Sequence, residues 1–129
     1  MNENLPKMRL LKFDSKTCPV CVQFDKRGTL NDIAREYPTL EVVTLTCANA
    51  DGESPEGSTY DAAYKLSDDL GVQAFPTLVL QDEHGIELHR FDGAPSISQI
   101  RKALDSSAEA INEAKALKLK VDAFIKMPK

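Results

Sequence analysis

The chain's clearest chemical capacity lies in Cys18-Pro19-Val20-Cys21. On the first turn of a helix, residues i and i+3 bring their side chains close enough to bridge without bending the backbone. Two such thiols can trade a dithiol for a disulfide. One attacks a disulfide sulfur as the thiolate, and the second resolves the mixed disulfide that results. Pro19 suits a first helical position, where its missing N–H would lack a partner anyway. The positive end of the helix favours a thiolate on Cys18, and Lys16 brings a further positive charge into the neighbourhood. Cys18 is therefore the expected nucleophile and Cys21 the resolving thiol, whose fixed placement speeds the second step.

Two other uses of the pair compete with this one. A structural zinc ion needs four ligands, and beyond the pair the chain offers only Cys47, His84 and His89. Both histidines fall in one hairpin without the spacing of a ligand pair, so no metal is expected. The pair could also be inert core cysteine. Cys47 carries its own alternatives: a third redox thiol beside the Cys18 region, or a small buried apolar residue.

The elements that must position these thiols follow from hydrophobic patterning. Met8 to Asp14 is a short strand, and helical periodicity begins at Cys18. Leu30, Ile33, Ala34 and Tyr37 share one helical face, with a kink expected at Gly28-Thr29 and a stop at Pro38. Leu40 to Cys47 is β-branched and mostly apolar, which predicts a strand buried on both faces. Residues 48–58 form an acidic loop carrying Asp51, Glu53 and Glu56, either a substrate-selecting lid or simply solvated. Ser58 opens a helix with Ala63, Leu66 and Leu70 inward, and Gly71 ends it. Thr77–Gln81 and Ile86–Phe91 form a hairpin. Ser96 or Ser98 opens the last helix. The order predicts an α/β fold with a mixed four-stranded sheet flanked by helices.

The chain has 129 residues and a formal net charge of −4, which suits one domain and argues against nucleic-acid binding. Three cysteines are too few for a secreted disulfide scaffold. With no apolar run near membrane length and no visible secretory signal, the expected location is the cytoplasm, where thiols are kept reduced.

Taken in order, these residues resemble the thioredoxin superfamily from about Met8 to about Leu104. Besides the cysteine pair, the resemblance rests on Leu30 to Tyr37, on Gly71-Val72-Gln73-Ala74-Phe75-Pro76-Thr77-Leu78, and on Phe91-Asp92-Gly93-Ala94. It implies a thioredoxin-like fold and a thiol–disulfide oxidoreductase with no bound cofactor, whose redox-active group is the Cys18–Cys21 pair. It also implies a cis Pro76 beside the pair. The backbone of Phe75, with Thr17, Pro19 and Val20, would then line the groove for a disulfide-containing protein substrate. A reductase or glutathione would supply electrons. The chain departs from the family in lacking Trp, in placing Thr17 before Cys18, and in having Lys12 where thioredoxins carry a buried Asp. Either Lys12 points outward or an unusual charge lies beneath the pair. A non-catalytic binding module of the same fold is the alternative function.

Residues 1–107 make up the expected domain and 108–129 a C-terminal extension. The extension is expected to be helical, although Leu117, Leu119 and Val121 alternate as they would in a strand. Residues 109–129 hold five Lys against Glu109, Glu113 and Asp122, whereas residues 1–108 carry a net −6. Its apolar residues Ile111, Leu117, Val121, Phe124 and Ile125 are expected to pack on the domain or on a second copy as a homodimer, rather than on a membrane.

Overall fold

A computed structural model describes residues 5–128. Its first strand, β1 (Met8–Asp14), is followed by α1 (Pro19–Lys26), α2 (Thr29–Glu36), β2 (Glu41–Thr46) and α3 (Thr59–Asp69). The hairpin β3 (Thr77–Asp82) and β4 (Glu87–Asp92) and the helix α4 (Ile97–Ile125) complete the chain. The sheet order is β2-β1-β3-β4, with β1 parallel to β2 and antiparallel to β3, and β4 antiparallel to β3. This is the mixed four-stranded sheet with flanking helices that the patterning predicts.

The kink expected at Gly28 is a full break between α1 and α2. Gly28 takes φ 70°, a left-handed value that L side chains adopt at a cost and that turns the chain before α2 begins. Side chains alternate along the central strands, giving the sheet two cores. On one face Met8, Leu10, Leu78 and Leu80 pack with Phe24, Ile33, Tyr37, Ile100 and Leu104 from α1, α2 and α4. On the other, Leu11, Phe13 and Val79 pack with Cys47 and with Ala63 of α3.

Two sequence expectations are corrected here. β2 is not buried on both faces: Glu41 and Thr44 are exposed and Val42, Val43 and Leu45 are half-buried. The reason is topological, because β2 forms an edge, and the doubly covered positions go to β1 and β3. On α3 the inward positions are Ala63 and Ser67, with Leu70 half-buried and Leu66 exposed. Ser67 tolerates burial because its hydroxyl donates to the Tyr64 carbonyl of its own helix, at 2.6 Å.

α4 opens at Ser96 with a reciprocal cap, Ser96 and Gln99 each bonding the other's backbone N–H. Its 29 residues, at about 1.5 Å rise each, span about 43 Å. Ile100, Ala103, Leu104 and Ser107 are buried, and Arg101 and Asp105 bond Glu36 and Tyr37 at the end of α2. The helix runs unbroken through 107–108. Alternation at Leu117, Leu119 and Val121 gives no strand, since the segment Ala114–Lys120 is built of strong helix formers. The expected packing of the extension on its own domain is met at Ala108 and Ile111. Leu117, Val121, Phe124 and Ile125 are exposed, because the helix has run past the end of the core. No described helix is long and apolar enough to cross a membrane.

Candidate active site

A tight turn at Ser15–Cys18, closed by the Cys18 N–H on the Ser15 carbonyl at 3.1 Å, carries the chain from β1 into α1. Cys18 is the N-cap of α1, with extended φ/ψ of −92° and 109°, and Pro19 follows at the head of the helix. The Cys18 Sγ accepts the Cys21 backbone N–H at 3.2 Å, so the sulfur fills the place a capping oxygen usually takes. No acidic residue lies in this first turn to oppose a negative charge there.

Cys18 and Cys21 are joined as a disulfide with their Cα atoms 5.3 Å apart, the pairing the i, i+3 spacing predicts. Their exposure differs: Cys18 is partly exposed and Cys21 is buried at 1%. The outer sulfur alone can meet a partner molecule. The peptide bond Phe75–Pro76 is cis, and the Phe75 carbonyl oxygen lies 3.6 Å from the Cys18 Sγ. Thr17, Pro19 and Val20 are exposed around the pair, Val20 at 52%. The acidic loop lies alongside: a β-carbon on Gly52 would sit 3.7 Å from Thr17 Cγ2.

The family model for a thioredoxin-like domain matches residues 2–108. The chain belongs to that thioredoxin-like family. Among solved structures it is similar to Fasciola hepatica thioredoxin, at 20% identity over 81% of this chain and 84% of that one, with a TM-score of 0.57. A protein described as DsbH oxidoreductase aligns at 22% identity over 78% of this chain and 74% of the other, with a TM-score of 0.61. Mitochondrial thioredoxin 3 of Saccharomyces cerevisiae, in its oxidised form, aligns at 18% identity over 78% and 79%, with a TM-score of 0.57. These likenesses establish the fold. No curated protein matches the sequence significantly.

The remaining candidate residues fall in three places. Lys12 points inward, so the unusual charge does lie in the protein interior: it is 1% exposed, with its ammonium 2.5 Å from both Asp14 Oδ2 and Asp25 Oδ1 and near the Phe24 ring. Asp14 and Asp25 are members of this cluster that sequence reasoning missed. The available signals were a polar residue two positions after Lys12 on the same strand face, and a carboxylate one helical turn after Cys21. Lys16 turns its ammonium over the Tyr60 ring, 5.4 Å from the centroid, and this partner raises its pKa. Cys47 is fully buried in the α3-side core, and burial pushes its thiol pKa up. His89 stacks edge-on against Phe91 with centroids 4.5 Å apart, while His84 sits in the hairpin turn. Among the described residues, no group of three or more His, Cys, Asp or Glu side chains converges as a metal site.

Proposed function

We propose that this thioredoxin-like protein is a thiol–disulfide oxidoreductase acting through the Cys18–Cys21 couple. The observation that carries the proposal is the asymmetry of the pair: the accessible sulfur caps a helix N-terminus beside the Phe75 carbonyl, and its partner is buried behind it. In the reduced protein the Cys18 thiolate attacks one sulfur of a substrate disulfide. The substrate S–S bond breaks, one substrate thiolate leaves, and a mixed disulfide forms at Cys18. Cys21 then attacks the Cys18 sulfur and releases the second substrate thiol. Two electrons pass to the substrate, and the protein is left as the Cys18–Cys21 disulfide.

The backbone of Phe75 is suited to pair with an extended substrate segment, with Thr17, Pro19 and Val20 bordering it. The reaction needs no bound cofactor. A reductase or glutathione returns the dithiol, in a reducing compartment such as the cytoplasm.

The test is reduction of a disulfide-bonded protein such as insulin, with dithiothreitol as donor, by wild type, Cys18→Ser and Cys21→Ser. Wild type turns over, Cys18→Ser falls to background, and Cys21→Ser stalls as a covalent mixed disulfide through Cys18. Background rates for all three proteins overturn the proposal and favour a binding module.

A further inference from the structure

The C-terminal turns of α4 leave large apolar side chains uncovered. Leu117, Val121 and Phe124 are exposed, Phe124 at 75%. They continue a row, spaced alternately by four and three residues, that runs Ala103, Ser107, Ala110, Ala114, Leu117, Val121, Phe124 along one side of the helix. Apolar residues at that spacing form the seam along which two helices pack. The first half of this row is small and the second half is large. The first half also floors an open groove of about 590 Å³ beside β4, where Leu88, His89 and Phe91 face Ala103, Ser107 and Ala110. The molecule therefore carries both sides of one contact. Large side chains stand with nothing packed over them among the described residues, and a groove floored by small ones lies on the same side of the same helix.

We propose that two copies of this chain associate through that side of α4, antiparallel about a two-fold axis near residues 115–116. Each copy sets its Leu117, Val121 and Phe124 over Ala114, Ala110 and Ser107 of the other, so that Phe124 enters the groove beside β4. Antiparallel order is what brings large against small. Parallel order opposes Phe124 to Phe124 and alanine to alanine, and it leaves the groove empty. Charge selects the register. In this alignment Glu113 of one copy flanks Lys120 of the other, and the two-fold axis repeats the pair. A slide by seven residues opposes Glu113 to Glu113 instead. Lys118 is already tied to Asp122, whereas Glu113 and Lys120 are exposed and form no ion pair among the described residues. A lipid surface is the poorer occupant, because it cannot follow the concave wall between β4 and α4 and because Glu113 borders the apolar row. The overlap from Ser107 to Phe124 is about 27 Å long at about 1.5 Å rise per residue. One helix face with a groove is a small interface, so the expected Kd is about 10–100 µM, and each copy folds on its own core. Cys18 lies outside the groove and stays accessible in the pair.

The test is sedimentation equilibrium of the full chain from about 5 to about 500 µM, at about 50 mM salt to limit screening. Dithiothreitol keeps Cys18 from cross-linking copies. Wild type is expected to pass from monomer to dimer and to go no further, because a two-fold pair is closed. Leu117→Glu changes a side chain that the monomer exposes, so it keeps the circular dichroism of wild type and stays monomeric throughout the range. Glu113→Lys sets lysine against Lys120 and weakens the dimer about fivefold or more. Glu113→Lys/Lys120→Glu restores the pair with its signs exchanged and returns the Kd to within about twofold of wild type. A parallel dimer shows no such rescue. Wild type that stays monomeric at the top of the range overturns the proposal. If that monomer also co-sediments with vesicles of phosphatidylcholine and phosphatidylglycerol, the apolar row belongs to a lipid surface instead. A dimer indifferent to Leu117→Glu, or a double variant no tighter than Glu113→Lys, overturns the antiparallel seam.

Discussion

Replacing Lys12 by Met keeps the length of the side chain and removes its ammonium. Asp14 is then left 5% exposed with neither oxygen paired among the described residues, since Oδ1 has no partner among them and Oδ2 loses Lys12. Breaking one side of a buried ion pair costs about 3–5 kcal/mol. Asp25 adds little to this figure, because its carboxylate is 57% exposed and water replaces the lost partner. For 129 residues the unfolding entropy near the midpoint is about 0.27 kcal/mol/K, so the expected fall in Tm is about 10–20 °C. Thermal unfolding followed by circular dichroism near pH 7 measures it. The companion variant Lys12→Met/Asp14→Leu removes both charges and is expected to recover most of the loss. A single variant within about 1 kcal/mol of wild type, or a double variant worse than the single, would refute the reasoning.

Burial, seconded by Asp105, pushes Tyr37 up to about 12. The unfolded phenol titrates near pH 10, so the neutral form's contribution is complete below about pH 10 and is lost as pH rises toward 12. Urea unfolding at stepped alkaline pH should therefore show a steeper loss for wild type than for Tyr37→Phe. Ile33, fully buried between α2 and the sheet, should cost about 2–5 kcal/mol when cut to Ala, read from the shift in urea midpoint. Deleting residues 113–129 removes mostly exposed side chains, and the Tm of the remainder should stay within about 5 °C of wild type.

Legibility followed the locality of the signal. Cys18-Pro19-Val20-Cys21 carries its own geometry in its spacing, and the caps at Ser58 and Ser96 are written within four residues. The sheet could be assembled because each strand is bounded by turn or loop residues. Features set by who sits beside whom were harder to read. Val42 and Val43 have the composition of a central strand, and only the order β2-β1-β3-β4 shows that they belong to an edge. Ser67 is inward on α3 because its hydroxyl bonds backward along the helix, a contact that hydrophobic periodicity does not weigh. The Lys12–Asp14–Asp25 cluster joins residues from two elements, and a lysine in a strand usually signals the solvent side. Patterning also assigned Leu117, Val121 and Phe124 to a face packed on the domain or on a second copy, and within the single chain that face lies past the end of the core.

The most direct measurement is the alkylation rate of each cysteine in the reduced protein across pH, followed by peptide mass spectrometry with iodoacetamide. Cys18 should react first and titrate below the ordinary thiol value near 8.5, while buried Cys21 and Cys47 lag behind it. A Cys18 that reacts no faster than Cys47, or that titrates at or above that ordinary value, would contradict the account.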